Sequence, residues 1–178
     1  MIPESYKLDV KRYKISGKSP KGEVKRALTY LRHLRIAQET KYTLTRYYHR
    51  RKLAKLSDKY GIRIFPWMSI GPGLYIGHPR DINVNVKATI GRNCNIHRGA
   101  VIGIANRGRL MGAPTIGNEV WIGINAVIVG KVTIGDDVLI APNSYVNCDV
   151  PSHSVVFGNP CQIKHKDNAT EGYINNKI

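Results

Sequence analysis

Residues 116–150 read IGNEVW, IGINAV, IVGKVT, IGDDVL, IAPNSY, VNCDV, and an aliphatic residue opens every block. Ile116, Ile122, Ile128, Ile134, Ile140 and Val146 therefore recur at every sixth position, and Ile90, Ile96 and Ile102 keep the same beat upstream. Four residues after most of them stands a small or β-branched side chain: Cys94, Ala100, Val120, Ala126, Val132, Val138, Ser144 and Val150. A period of six fits neither a helix nor an alternating strand. It is the repeat of a parallel β-helix, in which one hexapeptide makes one face of a three-sided prism and a coil takes about 18 residues. The repeating aliphatic points inward and the small residue sits where two faces meet. Glycine follows the aliphatic at Gly91, Gly103, Gly117, Gly123 and Gly135. The sequence predicts these glycines at corners, where φ is often positive. A β-sandwich is the competing reading, but its strands alternate with period two.

The beat extends upstream through Ile64, Ile70 and Ile76, with Pro66, Pro72 and Pro79 at expected corners. It breaks twice. Between Ile76 and Val84 the register slips by two, around His78-Pro79-Arg80-Asp81. A slip in a strict repeat is a bulge, and bulges re-aim side chains near functional sites. Between Ile102 and Ile116 the spacing is 14, so Asn106 to Gly112 should leave the prism as a loop. After Val150 the repeat fades into turn chemistry at Pro151–Ser154 and Gly158–Cys161.

Before the prism, residues 1–18 show no period and are expected to be extended or loose. Ser19-Pro20 reads as an N-cap with proline at the first helical position. Val24, Ala27, Leu28, Leu31 and Leu34 then form a helical stripe. A second helix is expected over roughly 40–59, stopped by Gly61. The expected division is a basic helical segment (1–60), a β-helix (61–166) and a polar tail (167–178), the last a mobile tail or subunit arm.

The net charge of +16 is uneven. Residues 1–60 hold 17 Lys+Arg against 5 Asp+Glu, which is +12 of the total. Such a segment suits an anionic membrane surface, nucleic acid or simple solubility. The mixture Tyr47-Tyr48-His49-Arg50-Arg51-Lys52 could stack on nucleic acid, but a helix with one packed and one wet face explains it better. No apolar run approaches the 18 or so residues of a membrane span. The start lacks the apolar core of a secretory leader. Cys94, Cys148 and Cys161 share no metal-type spacing, and Cys94 falls on a core position. These features predict a reducing, cytosolic setting.

A prism of this kind has few cavities of its own. Its flat sides are expected to pack on copies of themselves, with a closed homotrimer as the natural solution and the groove between copies as ligand site. Two histidines fall within the coils, His78 and His97. Imidazole titrates near neutral pH and suits a general base. His78 lies on the slip. His97 follows the inward Ile96 and should face out.

With these residues in hand, the stretch from Gly61 to Lys164 resembles the catalytic domain of hexapeptide-repeat acyltransferases, in particular serine O-acetyltransferases and capsular-polysaccharide O-acetyltransferases. Gly73-Leu74-Tyr75-Ile76-Gly77-His78 is similar to the stretch of the serine enzymes that ends in Asp-His. Asn118-Glu119-Val120-Trp121-Ile122-Gly123 resembles the Asn-Asn-Val-Trp-Ile-Gly of galactoside and maltose acetyltransferases. Gly158-Asn159-Pro160-Cys161 resembles a Gly-x-Pro-Ala segment that lies against coenzyme A. The resemblance implies a left-handed β-helix and acetyl transfer from acetyl-CoA to a hydroxyl, without a metal. It implies His78 as general base, with His97 as the second candidate. It also implies backbone N–H groups near Gly103 at the oxyanion, Trp121 at the thioester, and pantetheine near Gly123, Asn125, Ala126, Ala141 and Asn143. Lys164 would meet the nucleotide phosphates.

Three departures stand out. Where the serine enzymes carry Asp before the catalytic His, this chain has Gly77. Where they carry the Asp that orients that His, it has Arg63. Where they carry Arg-His, it has Gly112-Ala113. The groups that would hold serine are missing, so the sequence favours a sugar or glycan hydroxyl in surface-polysaccharide synthesis, with residues 1–60 against the inner membrane face. The alternative is serine O-acetyltransferase of cysteine biosynthesis, which a final Ile178 also fits. A zinc enzyme like the γ-class carbonic anhydrases would need three His ligands, and a nucleic-acid scaffold would rest on charge alone.

Overall fold

The computed structural model describes residues 2–13 and 20–178. Three helices lead: α1 (Glu4–Lys11), α2 (Gly22–Glu39) and α3 (Thr43–Tyr60). α1 corrects the expectation of a loose start. Tyr6, Asp9, Val10 and Tyr13 do carry a helical spacing, but its central member is a carboxylate. Asp9 is fully buried. It accepts hydrogen bonds from Arg35 Nε (2.8 Å) and Nη2 (3.1 Å) and from the Leu74 N–H (2.9 Å). Arg35 in turn donates to the carbonyls of Ile70 (2.9 Å) and Gly71 (2.6 Å). One buried ion pair thus joins α1, α2 and the first coil. The expected cap at Ser19 lies outside the described residues; Lys21 precedes the first turn of α2. α3 ends at Gly61, which takes φ +67° and lies against Asp81.

Among the described residues fourteen strands follow. They are β1 (Ser69–Ile70), β2 (Tyr75–Gly77), β3 (Asn83–Val84), β4 (Thr89–Ile90), β5 (Asn95–His97), β6 (Val101–Gly103), β7 (Thr115–Ile116), β8 (Trp121–Ile122), β9 (Val127–Val129), β10 (Thr133–Ile134), β11 (Val138–Ile140), β12 (Tyr145–Val146), β13 (Ser154–Phe157) and β14 (Gln162–His165). They form three flat parallel faces: β1-β4-β7-β10, β3-β6-β9-β12 and β2-β5-β8-β11-β13, the last extended by the antiparallel β14. This is the left-handed β-helix of hexapeptide repeats. Val84, Ile102, Ile128 and Val146 stack in register inside one face. All eight small residues read from the repeat are buried. Burial pushes the Cys94 thiol up to about 12, so it packs rather than reacts.

The corners work differently from expectation. The repeat glycines do not take positive φ. Left-handed residues stand instead two positions after four of these glycines, at Asn93, Glu119, Asn125 and Asp137. The glycines are required by close approach instead: a Cβ on Gly91 would sit 2.3 Å from the Gly117 carbonyl oxygen.

The tail is another correction. Residues 167–178 turn back along the outside of the β2-β5-β8-β11-β13 face, with Ala169, Thr170 and Ile174 buried. Asp137 is their anchor. It accepts from the Ala169 N–H (2.9 Å), the Thr170 N–H (3.0 Å) and the Thr170 hydroxyl (2.7 Å), and pairs with His153 Nδ1 (2.9 Å). Farther on, Asn93 and the Ile178 backbone exchange two hydrogen bonds of 3.1 Å.

Burial pushes the Asp137 carboxyl up, but bonds from Thr170, His153 and Ala169 outweigh it and hold the group below the usual carboxylate range. A depressed folded-state pKa means the anchoring is complete above the ordinary value of about 4 and fades as pH falls through the folded one. Asp137→Ala should release the tail at neutral pH, at a cost of about 1–3 kcal/mol. Tryptic cleavage at Lys166 should then quicken about tenfold or more. Unchanged cleavage would show that the tail is held elsewhere.

Candidate active site

The slip at 78–81 is a bulge carrying two left-handed residues, His78 (φ +51°) and Asp81 (φ +54°). Non-glycine residues in that region are uncommon and cost energy, so the surroundings must hold them. The Arg80 N–H donates to the His78 carbonyl (2.7 Å), and the Asp81 N–H donates to the Tyr60 carbonyl at the end of α3 (2.9 Å). The His78 ring leaves the wall half-exposed. Its Nδ1 lies 2.8 Å from Oε2 of Glu23 in the first turn of α2.

One coil along, β5 pairs with β2 so that His97 stands over Gly77. A Cβ on Gly77 would lie 2.3 Å from His97 Cδ2 and 2.5 Å from Nε2. The glycine is thus required by the imidazole, which fills the space a side chain at 77 would take. His97 Nδ1 is 3.0 Å from the Ile122 carbonyl. A carbonyl only accepts, so Nδ1 bears the proton and Nε2 is free. Burial holds the ring below the ordinary histidine value, partly offset by the Ile122 bond. The two imidazole centroids are 6.4 Å apart.

His97 also lines a cavity of about 300 Å³ with Arg12, Tyr75, Asn95, Trp121 and Tyr173. Trp121 stands 4.6 Å from His97 and 5.1 Å from Tyr173, so the returning tail makes one wall. Arg12 is 4% exposed. It donates to the carbonyls of Gly73 (2.5 Å) and Asn175 (3.0 Å) and to Asn95 Oδ1 (2.7 Å). All three acceptors are neutral, and among the described residues no carboxylate forms an ion pair with it. A larger hollow of about 540 Å³ lies on α3, away from both histidines.

The other expected residues divide. Trp121 joins His97. Gly123 lies against Trp121 and Pro142. Asn125 donates to Asn143 (3.3 Å) along the corner beside Ala141. The Ala126 side chain is fully buried in the prism. Gly103 ends β6, on a different face from both histidines. Lys164 is exposed on β14. Sequence reasoning missed Glu23 and Arg12, which reach the site from 55 and 61 or more positions away; no short-range pattern could reveal them. Arg63, in the place of the orienting Asp, is exposed. Among the described residues no group of three His, Cys, Asp or Glu side chains could hold a metal, and no helix is long and apolar enough to cross a membrane.

Residues 113–148 match the family of bacterial transferase hexapeptides, six repeats. With the fold and repeat above, the chain is a left-handed β-helix of hexapeptide repeats, the repeat of that transferase family. Serine acetyltransferases are among the proteins it is similar to. It is 34% identical to the serine acetyltransferase of Helicobacter pylori over 60% of this chain and 63% of that protein. It is 33% identical to that of Staphylococcus aureus over 74% of this chain and 62% of that protein. The crystal structure of Neisseria gonorrhoeae serine acetyltransferase in complex with serine matches with TM-score 0.67 and 25% identity, over 90% of this chain and 68% of that one. The chain thus spans less than two thirds of the length of the curated relatives. These matches overturn the expectation of a sugar or glycan acceptor, and with it the reason for placing residues 1–60 against a membrane. The three departures argued against serine only if no other side chain could replace the missing groups.

Gly77→Ala should leave the prism folded and displace the His97 ring from the Ile122 carbonyl. In a histidine NMR titration, wild-type His97 should titrate below about 6.5, and the variant closer to that value. An unmoved titration would mean the ring is held by something other than the space over Gly77.

Proposed function

We propose that the chain is a serine O-acetyltransferase using acetyl-CoA, and that His78 is its general base. The observation that carries this is the pair of imidazoles, each with Nδ1 committed and Nε2 free, 6.4 Å apart, of which His97 lines a cavity with a cationic wall. The relatives' shared name supports serine. So does Arg12: a buried guanidinium without a counter-ion favours an acceptor that carries a carboxylate, which serine has and a neutral sugar lacks.

In this reading His78 Nε2 takes the proton of the serine hydroxyl. The hydroxyl oxygen bonds to the thioester carbonyl carbon, the C–S bond breaks, and the thiolate leaves with the proton that His78 returns. The products are O-acetylserine and coenzyme A. No cysteine nucleophile is needed. Pantetheine would follow the Asn125–Asn143 corner toward Trp121, with Lys164 toward the phosphates. A homotrimer would bring a neighbouring prism against the half-exposed His78 and close the site. Residues 1–60 then serve the site rather than a lipid surface.

Coenzyme A release from acetyl-CoA should depend on serine, and His78→Ala should lower kcat by about 10²–10⁴, the usual worth of a positioned base. Release with a sugar but not with serine overturns the acceptor. Loss of turnover in His97→Ala with His78→Ala nearly intact overturns the base.

A further inference from the structure

We propose that Glu23, on the first turn of α2, is the positioning residue that fixes the tautomer and orientation of the His78 imidazole. The proposal rests on the reading of His78 as base and supplies what that reading lacks. A base on a strand end must present a bare nitrogen in one direction. His78 sits on a bulge and its ring is half-exposed, so packing does not fix it. Among the described residues its ring has one hydrogen-bond partner, Glu23 Oε2 at 2.8 Å. A carboxylate accepts, so Nδ1 keeps its proton and Nε2 is left to act.

Three further observations make this contact more than a chance surface pair. First, the carboxylate faces a cation on its other side. Its other oxygen is 3.7 Å from Arg26 Nη2, and the N-terminal end of a helix favours negative charge. Second, α2 cannot drift from the prism, because Arg35 on the same helix is locked to Asp9 and to the first coil. Third, no strand residue fills the role. Arg63 is exposed and of the wrong charge, and position 77 is a glycine whose side-chain space is filled by the His97 ring. The orienting acid therefore comes from the helical segment, 55 residues upstream. Side chains of Glu23 and His78 are about half exposed, and exposed pairs of this kind add little to stability. The contact makes more sense as orientation than as structural support.

The test uses the full chain with Glu23→Gln, Glu23→Ala and Glu23→Asp. The alanine and glutamine variants should fold as wild type. Their kcat should fall about ten- to a hundredfold, as for loss of a partner that orients a reacting group, while KM for acetyl-CoA stays put. Glu23→Asp should recover part of the rate. In the resting protein, long-range proton–nitrogen NMR should show the His78 Nδ1–H form in wild type and a mixture of tautomers in Glu23→Ala. An unchanged tautomer in Glu23→Ala, or unchanged kcat, overturns the proposal. If serine is not acetylated at all, the acceptor reading fails on its own, and the NMR result still decides the role of Glu23.

Discussion

The constraint on which the rest depends is the stacking of coil on coil. Each inward aliphatic sits directly under the next, as Val84, Ile102, Ile128 and Val146 do, and the backbone hydrogen bonds run between coils. A strand slipped by one residue would send every side chain to the opposite side. His97 would then be inside the wall and Ile96 outside. The prism tolerates extra residues only where they leave it, at the 78–81 bulge and the 106–112 loop. Because the interior is filled, chemistry is confined to the outer surface. The fixed pitch then decides which residues of successive coils become neighbours there, and Gly77 and His97 are such a pair.

The helices matter because they brace the bulge and the first coil. Tyr30 donates to, or accepts from, the backbone of Ile62 and Ile64, with its hydroxyl 2.8 Å from the Ile64 carbonyl. The Asp9–Arg35 pair does the same at the first coil. Burying two charges is costly unless every lone pair and N–H is used, and here both side chains also bond backbone. Removing either would strand the other, so the arrangement is specific even where its net contribution is small. Two of the cations counted in the +12 of residues 1–60, Arg12 and Arg35, are therefore internal ties rather than a surface patch. The sequence total alone gave no way to tell the two apart.

The prism was legible because its rule is local. A side chain inward at every sixth position can be counted, and so can each place where counting fails. The tail and α1 were not legible, because their burial rests on polar groups. Thr170 is buried through Asp137, and Asp9 through Arg35; both read as solvent-exposed residues in a list of hydropathies. The corners were half legible: glycine marked them correctly, but for close backbone approach, with the left-handed turn two residues on. The acceptor was misjudged for a related reason. Three missing groups were counted in register with the relatives, while the groups that could stand in for them, Arg12 and Glu23, lie outside the repeat.

That substitution has a physical logic. Once an imidazole occupies the space over residue 77, a side chain there can enter only by displacing it, since even a Cβ would lie 2.3 Å from the His97 ring. With His97 in that space, neither position 77 nor position 63 offers His78 an acid. In the proposed site the carboxylate that meets His78 comes from outside the prism. The first turn of a docked helix is a favourable source, because the helix end stabilises the carboxylate without burying it. In the proposed reading, the short helical segment supplies a part of the site that the coils do not.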